Sequence, residues 1–247
     1  MQYTIKFDCD NLQLPIHYNH IIQGFIYKNI FDDDFREFLH EKGFEVDGKR
    51  FKLFTFSQLY GDYIFDNKNK TITFIDRCEL TVSSIVDDFN HEFLKSCFYN
   101  KELKLNNQPI EVAEIVMNEN TAKTSKSVIK TLSPITVYST VHLNGRKKTI
   151  YYFPEDSLFQ KYVKDNLIRK ASMIYNKSFE KAVFDIRPVE GKVSKNILYF
   201  KDIIIKGTSG IFEIQGDEEL TYIALNCGLG SKNSQGFGCI RLVKSIQ

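Results

Sequence analysis

The sequence contains no tryptophan and only three methionines, five prolines and five cysteines among its 247 residues. The cysteines are scattered and form no C-x-x-C pair, which argues against a structural zinc site and favours a reducing compartment. No stretch approaches the ~18 consecutive apolar residues of a membrane span. The opening segment MQYTIKFDCD is polar and acidic, and it predicts a strand and not a signal peptide. We therefore expect a cytoplasmic protein without a membrane partner.

The charges are distributed unevenly between the two halves of the chain. Residues 1–125 carry 14 Lys and Arg against 20 Asp and Glu, whereas residues 126–247 carry 19 against 11. Such asymmetry is typical of proteins with a polyanionic partner. Composition alone leaves open that the difference is an ordinary fluctuation of surface charge.

Glycine is also scarce, yet four of the 13 glycines lie in GLGSKNSQGFG, residues 228–238, here called the G-rich loop. Glycine permits positive φ and close approach of a ligand to backbone amides, and the loop adds a lysine and polar side chains. The dinucleotide-binding fingerprint fails because Asn233 stands where its third glycine belongs, and the P-loop fails because Phe237 follows Gly236. A phosphate cradle outside both of these motifs is the hypothesis that remains.

Hydrophobic periodicity predicts the same order of elements in both halves. In the first half, strand-like QYTIKFDC precedes helical YNHIIQGFIYKNI, with Asn19 as N-cap, and FDDDFREFLHEKG, which ends at Gly43. Three strand-like runs, a helix and a last strand follow, and residues 126–247 repeat this order more loosely. The pattern predicts an α+β fold of two tandem ferredoxin-like (βαββαβ) domains, residues 1–125 and 126–247, packed closely together.

Several segments resemble one family over essentially the whole chain. LPIHYNHIIQGFIYKNI, FLHEKG, FKLFTFSQL, TLSPITV and the G-rich loop resemble, in order and spacing, the CRISPR-associated endoribonucleases that process precursor CRISPR RNA. These enzymes belong to the repeat-associated mysterious protein superfamily. The resemblance implies tandem ferredoxin-like domains and CRISPR repeat RNA as the partner. It leaves open whether the chain forms a homodimer or joins other subunits of a CRISPR effector complex.

The resemblance also implies the catalytic residues, which are Tyr27 in GFIYKNI, His40 in FLHEKG and Lys52 before LFTFS. It implies cleavage without metal or cofactor within each repeat, leaving a 2′,3′-cyclic phosphate and a 5′-hydroxyl. The N-terminal domain would carry the catalytic residues, and the C-terminal domain would bind RNA through the G-rich loop.

The chemistry of these residue types fits RNA cleavage. RNA supplies its own nucleophile, the 2′-hydroxyl, so the enzyme must move protons and stabilise charge on the phosphorane. Histidine, with an ordinary pKa of ~6.5, suits proton transfer, and lysine suits the developing negative charge. Tyrosine, with an ordinary pKa of ~10, is expected to orient a phosphate or hydroxyl as a donor. His40 lies off its helix's apolar stripe, near the helix end.

The expected RNA contacts come from the loop and from basic segments. In the loop, glycine amides and neighbouring polar side chains are expected to bind phosphate and sugar: Gly228, Gly230, Lys232, Asn233, Ser234, Gly236 and Gly238. The alternative is a compact turn that only packs the last strand. The run GRKKT at 145–149 and the helix carrying Lys161, Lys164, Arg169 and Lys170 are either further contacts or solvated faces.

Two other functions compete with cleavage. The chain could be a non-catalytic subunit of a CRISPR effector complex that binds repeat RNA, or a metal-dependent nucleotide enzyme. His17 and His20 have metal-like spacing but no third ligand, and packing or capping explains them better than a metal site does. The acidic run at 32–34 could hold Mg²⁺, but it is also what a helix N-terminus favours.

Overall fold

The structure is a computed structural model that describes residues 1–118, 125–143 and 145–245. The elements of the first half are β1 (Gln2–Asp8), β2 (Leu12–Pro15), α1 (Asn19–Lys28), α2 (Asp33–Glu37), a π-helical turn (Phe38–Lys42), β3 (Phe44–Val46), β4 (Lys49–Phe51), β5 (Phe54–Phe56), β6 (Tyr63–Asp66), β7 (Thr71–Phe74), β8 (Arg77–Ser84), α3 (Asp87–Tyr99), β9 (Lys104–Leu105), β10 (Gln108–Pro109) and β11 (Glu111–Asn118). Those of the second half are β12 (Lys126–Thr131), β13 (Val137–Leu143), β14 (Arg146–Tyr152), α4 (Ser157–Tyr175), β15 (Phe184–Phe200), β16 (Ile203–Gly216), α5 (Glu218–Cys227), a 3₁₀ turn (Asn233–Gln235) and β17 (Ile240–Ser245).

The main sheet of the first half has the strand order β11-β1-β8-β5, with every pairing antiparallel. Helix α1 follows the first of these strands in the chain and α3 follows the third, which is the βαββαβ order of a ferredoxin-like unit. Small sheets are added to it, namely β2-β7-β6 and the hairpins β3-β4 and β9-β10. The hairpin β3-β4 matters for the site below.

The main sheet of the second half has the strand order β15-β16-β12-β17, again antiparallel. Its helices α4 and α5 occupy the same places in the chain order as α1 and α3, and the hairpin β13-β14 is inserted before α4. The predicted α+β fold of tandem ferredoxin-like units is confirmed. The boundary between residues 125 and 126 stays a prediction, since residues 119–124 lie outside the described residues.

Each half buries its own hydrophobic core. In β1, alternate residues Tyr3, Ile5 and Phe7 are fully buried, and they pack with the apolar stripe of α1 and α3. The second core is formed by α4, α5 and their sheet. Each large apolar side chain that leaves water contributes about 1.5–3 kcal/mol, so these faces determine which way the helices dock.

The two halves are in direct contact. Leu53, from the first half, is buried in the core of the second. Polar side chains cross the boundary as well: Thr55 Oγ1 donates to Phe237 O at 3.1 Å, and Gln2 Nε2 donates to Ile240 O at 2.8 Å. The predicted close packing of the halves is therefore confirmed.

The start of α1 differs from the prediction. Tyr18 occupies the N-cap, and Asn19 is the first helical residue, so the predicted N-cap is wrong. The Asn19 side chain instead donates to the carbonyls of Gln235 and Gly236, both at 3.1 Å. Hydrogen bonds to residues more than 200 positions further along the chain have thus replaced the expected local N-cap hydrogen bond.

Candidate functional site

Three elements bring Tyr27, His40 and Lys52 together. Tyr27 lies on α1, His40 lies in the π-helical turn, and Lys52 directly follows β4. The ring centroids of Tyr27 and His40 are 5.3 Å apart in an edge-to-face arrangement. Lys52 Nζ donates to the backbone oxygen of His40 at 2.9 Å. All three predicted catalytic residues therefore share one site.

The sequence around His40 explains how the chain reaches this site. Asp32 caps α2 by accepting from Phe35 N at 2.8 Å, and α2 then widens into the π-helical turn that holds His40. Such π-turns are often found at functional sites. The turn ends at Gly43, whose φ of 66° suits glycine. A Cβ there would lie 2.8 Å from Lys52 Cδ, so the missing side chain makes room for Lys52.

The His40 ring has a carboxylate partner. His40 Nδ1 lies 2.6 Å from Glu41 Oε1, and both side chains are exposed to solvent. With the proton on Nδ1 and donated to Glu41, the neutral ring presents its lone pair at Nε2. The ring can then accept a proton at one nitrogen while the other is held.

Burial and neighbouring cations shift the pKa values at this site. Burial lowers the pKa of the Lys52 ammonium, and nearby Arg50 lowers it further. Lys49 has a lowered pKa for the same two reasons, with Arg169 as its neighbouring cation. Burial raises the pKa of Tyr27, which keeps the phenol protonated. A cluster of crowded cations is stabilised by a polyanion.

A groove of about 620 Å³, here called the central groove, runs between the two halves beside this site. Its cations come from both halves, and polar and aromatic side chains lie among them: Lys49, Arg50, Lys52, Tyr138, Ser139, Asn166, Lys170 and Lys232. The G-rich loop forms one wall through residues 231–235. The groove is thus a positively charged channel that extends from Lys52, one of the three predicted catalytic residues, to the loop.

The glycines of the loop are packed against protein atoms. All four have φ between 68° and 82°, and a Cβ on any of them would lie within 3 Å of a protein atom. The amides of Gly228, Gly236 and Gly238 donate to Ala224 O, Asn233 O and Pro134 O. Their contact with RNA stays a prediction, whereas their part in packing is observed.

Other groups of the loop face the central groove. Lys232, in the left-handed region with φ 62°, lies with its Nζ 5.3 Å from the centre of the Tyr138 ring. Within the described part of the chain, the backbone N–H groups of residues 232–234 have no protein acceptor. A cation beside unpaired amides is an arrangement that binds phosphate oxygens.

Helix α1 connects the loop to the catalytic residues. In addition to Asn19, Gln23 donates to Ser234 O at 2.7 Å, one helical turn from Tyr27. The loop and Tyr27 are therefore positioned by the same helix. Nothing in the local sequence pattern predicts these contacts, since Asn19 and Gln23 are ordinary polar residues of an amphipathic helix.

The remaining candidates lie elsewhere or are buried. The rings of His17 and His20 pack on Tyr199 and Phe200 of the long β15-β16 hairpin. The run 32–34 caps α2 and begins it. Among the described residues, no group of three His, Cys, Asp or Glu side chains is arranged to hold a metal ion, and no helix has the length and apolar character of a membrane span. All five cysteines are free and buried.

The basic segments have two different environments. Lys147 and Lys148 are exposed on the β13-β14 hairpin, whose inner end lines the central groove. Lys170 on α4 is only 1% exposed, so it belongs neither to a solvated face nor to a surface that contacts RNA. Its position on the apolar stripe, three residues after Leu167 and next to Ala171, is a sign in the sequence that it faces inward.

Comparison with known proteins places the chain in a family. The sequence model described as "CRISPR associated protein Cas6, C-terminal" matches residues 117–242, just over half of the chain. The chain belongs to this Cas6 family. A Methanocaldococcus jannaschii protein named CRISPR-associated endoribonuclease Cas6 1 is 26% identical over 247 residues, which cover 97% of this chain and 92% of the relative.

Two solved structures have the same fold. One, described as a Cas6-related gene product from Pyrococcus furiosus, superposes with a TM-score of 0.85 at 20% identity and covers 100% of this chain and 99% of its own. The other, described as a RAMP protein binding different RNA substrates, has a TM-score of 0.83 at 22% identity, with coverages of 99% and 100%. Both superpositions include both ferredoxin-like units.

Proposed function

We propose that this protein is an endoribonuclease that binds CRISPR repeat RNA and cleaves precursor CRISPR RNA within each repeat. The observation that carries the proposal is the convergence of Tyr27, His40 and Lys52 from three separate elements, with Lys52 also lining the cationic central groove. Membership of the Cas6 family and a relative named as an endoribonuclease support it.

Cleavage needs only groups that this site contains. His40 exchanges protons with the attacking 2′-hydroxyl and the leaving 5′-oxygen, and Glu41 holds its Nδ1. Lys52 keeps two N–H groups beyond the one that it gives to His40 O, and these are available to the phosphorane. Tyr27, protonated and beside the imidazole, orients a phosphate or hydroxyl oxygen. The products are a 2′,3′-cyclic phosphate and a 5′-hydroxyl, without metal or cofactor.

The two halves divide the task. Residues 1–125 form the domain with the catalytic residues, and residues 126–247 form the domain that binds RNA. The unpaired amides of residues 232–234, in the second half, support this division. Five free, buried cysteines support a cytoplasmic location.

The proposal is tested with a CRISPR repeat RNA from the genome that encodes the protein, 5′-labelled and incubated in EDTA. We expect cleavage at one position, and we expect His40→Ala to lower the rate by about 10²–10⁴-fold without loss of binding. His91→Ala is the matched control, because His91 is an exposed histidine outside the site. Its rate should equal that of the wild type.

Other outcomes select other functions. Tight binding without cleavage by either protein would make the chain a non-catalytic RNA-binding subunit of an effector complex. Cleavage that EDTA abolishes would overturn the metal-independent chemistry. Cleavage that His40→Ala leaves intact would remove His40 from the mechanism.

A further inference from the structure

Lys170 is a buried cation that lies among apolar side chains. It lies on the apolar stripe of α4 among Phe159, Val163 and Leu167, and it is among the largest fully buried side chains. In the part of the chain that the structure describes, no carboxylate forms an ion pair with it. Buried charges without such a partner are costly, so their hydrogen bonds deserve a physical explanation.

Its three N–H groups are all directed at the base of the G-rich loop. Nζ donates to Gly228 O at 2.9 Å, to Cys227 O at 3.2 Å and to Asn233 Oδ1 at 2.8 Å. The first two oxygens belong to the C-terminal end of α5, where the helix dipole favours a cation. The third bond ties the ammonium to the loop itself.

Asn233 passes this connection on to both sides of the loop. Its Nδ2 donates to Leu229 O and to Phe237 O, each at 3.0 Å. A Cβ on Gly228 or Gly238 would lie 2.8 or 2.9 Å from that nitrogen. Two of the loop's glycines therefore make room for the Asn233 amide, which links the start of the loop to its end.

The amides and side chains that face the central groove belong to the same short segment. Residues 232–234 include Asn233, and Lys232 and Ser234 adjoin it on either side. Any movement of Asn233 moves them, because the 3₁₀ turn begins there. The direction of the unpaired N–H groups thus depends on Asn233, and Asn233 depends on Lys170.

We propose that Lys170 is a positioning residue that acts through Asn233 to hold residues 231–235 in the conformation that binds RNA phosphate, without itself contacting the RNA. The inference rests on the proposed function, because it assumes that the loop binds repeat RNA. It assigns Lys170, which is buried at the base of the loop, a role different from that of the other cations that line the central groove.

The test compares Lys170→Met, Asn233→Ala and the double variant, with Lys161→Met as the control. Lys161 is an exposed lysine of the same helix, so it receives the same substitution at a solvated position. The dissociation constant for the repeat RNA is measured at several salt concentrations. Hydrogen exchange of the Gln235, Gly236 and Gly238 amides, which are paired inside the protein, reports the order of the loop without any RNA.

We expect Lys170→Met to weaken binding at least about tenfold, the equivalent of losing hydrogen bonds to a charged group. Asn233→Ala should weaken it similarly, and the double variant should be no weaker than the worse single variant. In Lys170→Met the salt dependence of binding should stay unchanged, and the three amides should exchange faster. Lys161→Met should leave the exchange of these amides unchanged, and any affinity it loses should be electrostatic, seen as a weaker salt dependence.

Each opposing result has a separate meaning. A salt slope that falls by about 0.7 in Lys170→Met would make Lys170 a direct phosphate contact and overturn the positioning role. Additive losses, or unchanged affinity in Asn233→Ala, would overturn the action through Asn233, and the second result decides the matter even if Lys170→Met does not fold. Failure of the wild type to bind repeat RNA would instead overturn the proposed function.

Discussion

At the scale of single residues, the buried ammonium of Lys170 makes stability depend on pH. Burial lowers its pKa to about 8 in the folded protein, from an ordinary value of 10.5. Below pH 8 both folded and unfolded states hold the proton, and the folded state bears the cost of burying charge. Between pH 8 and 10.5 the unfolded state binds more protons, so stability rises with pH in that window.

We therefore expect the free energy of unfolding of the wild type to rise relative to that of Lys170→Met by about 3 kcal/mol between pH 7.5 and 10.5. Urea unfolding at a series of pH values measures the difference. The comparison isolates Lys170 from groups common to both proteins, including neighbouring Cys227, whose pKa burial raises to about 11. A difference that is flat or falls with pH would show that Lys170 is not held as a desolvated cation.

At the scale of elements, the β3-β4 hairpin places Lys52 beside His40, and Gly43 lies between the turn that holds His40 and the Lys52 side chain. We expect Gly43→Ala to slow cleavage by about 10–100-fold, because a Cβ would meet Phe51 O at 2.6 Å and Lys52 Cδ at 2.8 Å and displace the ammonium. Single-turnover cleavage measures the rate, and repeat RNA binding should persist.

Gly48 in the same hairpin provides the matched control. Its φ of 67° is close to the 66° of Gly43, but no atom lies within 4 Å of the position of its Cβ. Gly48→Ala therefore has the backbone strain without the collision, and it should keep the wild-type rate. Equal losses in the two variants would attribute the effect to strain and not to Lys52.

The elements themselves were largely predictable from the sequence. Alternation in β1 and the apolar stripe of α1 are local patterns, and local patterns were sufficient for both βαββαβ units. The convergence of Tyr27, His40 and Lys52 was available only through family resemblance, because no periodicity relates a helix, a π-turn and a hairpin.

Contacts between distant segments were the part that the sequence did not predict. Asn19 is a residue type typical of an N-cap, yet its side chain donates a hydrogen bond to Gly236 O, 217 residues away. Lysine is typically a surface residue, yet Lys170 is buried and its ammonium donates hydrogen bonds to three carbonyl oxygens. In each case the competing partner is brought in by the tertiary fold, which local propensity does not encode.

At the scale of the whole molecule, the groove between the halves determines how RNA binding responds to salt. If Lys49, Arg50, Lys52 and Lys232 each neutralise one phosphate, the slope of log K against log salt is about −3 for single-stranded RNA. Affinity should then fall about 50-fold between 50 and 200 mM salt. Lys49→Gln should make the slope shallower by about 0.7, as titrations at four salt concentrations can resolve.

Lys68→Gln is the control for that measurement, because Lys68 lies in the exposed turn between β6 and β7, outside the lining of the groove. The same change of charge there should leave the slope unchanged. Equal changes in both variants would mean that the protein's net charge, and not the groove, attracts the RNA.

The hydrogen bonds between the G-rich loop and α1 also affect the order in which parts of the protein fold during synthesis. Asn19 and Gln23 bond to partners that follow them by 217 and 211 residues, so the loop cannot dock until all of the intervening chain has been synthesised. Segments synthesised first generally fold first, and contacts between distant segments form last. Tyr27, His40 and Lys52 thus emerge from the ribosome close together, and the loop that we propose to bind RNA emerges well after them. A nascent chain therefore has the proposed catalytic residues before it has the loop that we propose to hold the RNA.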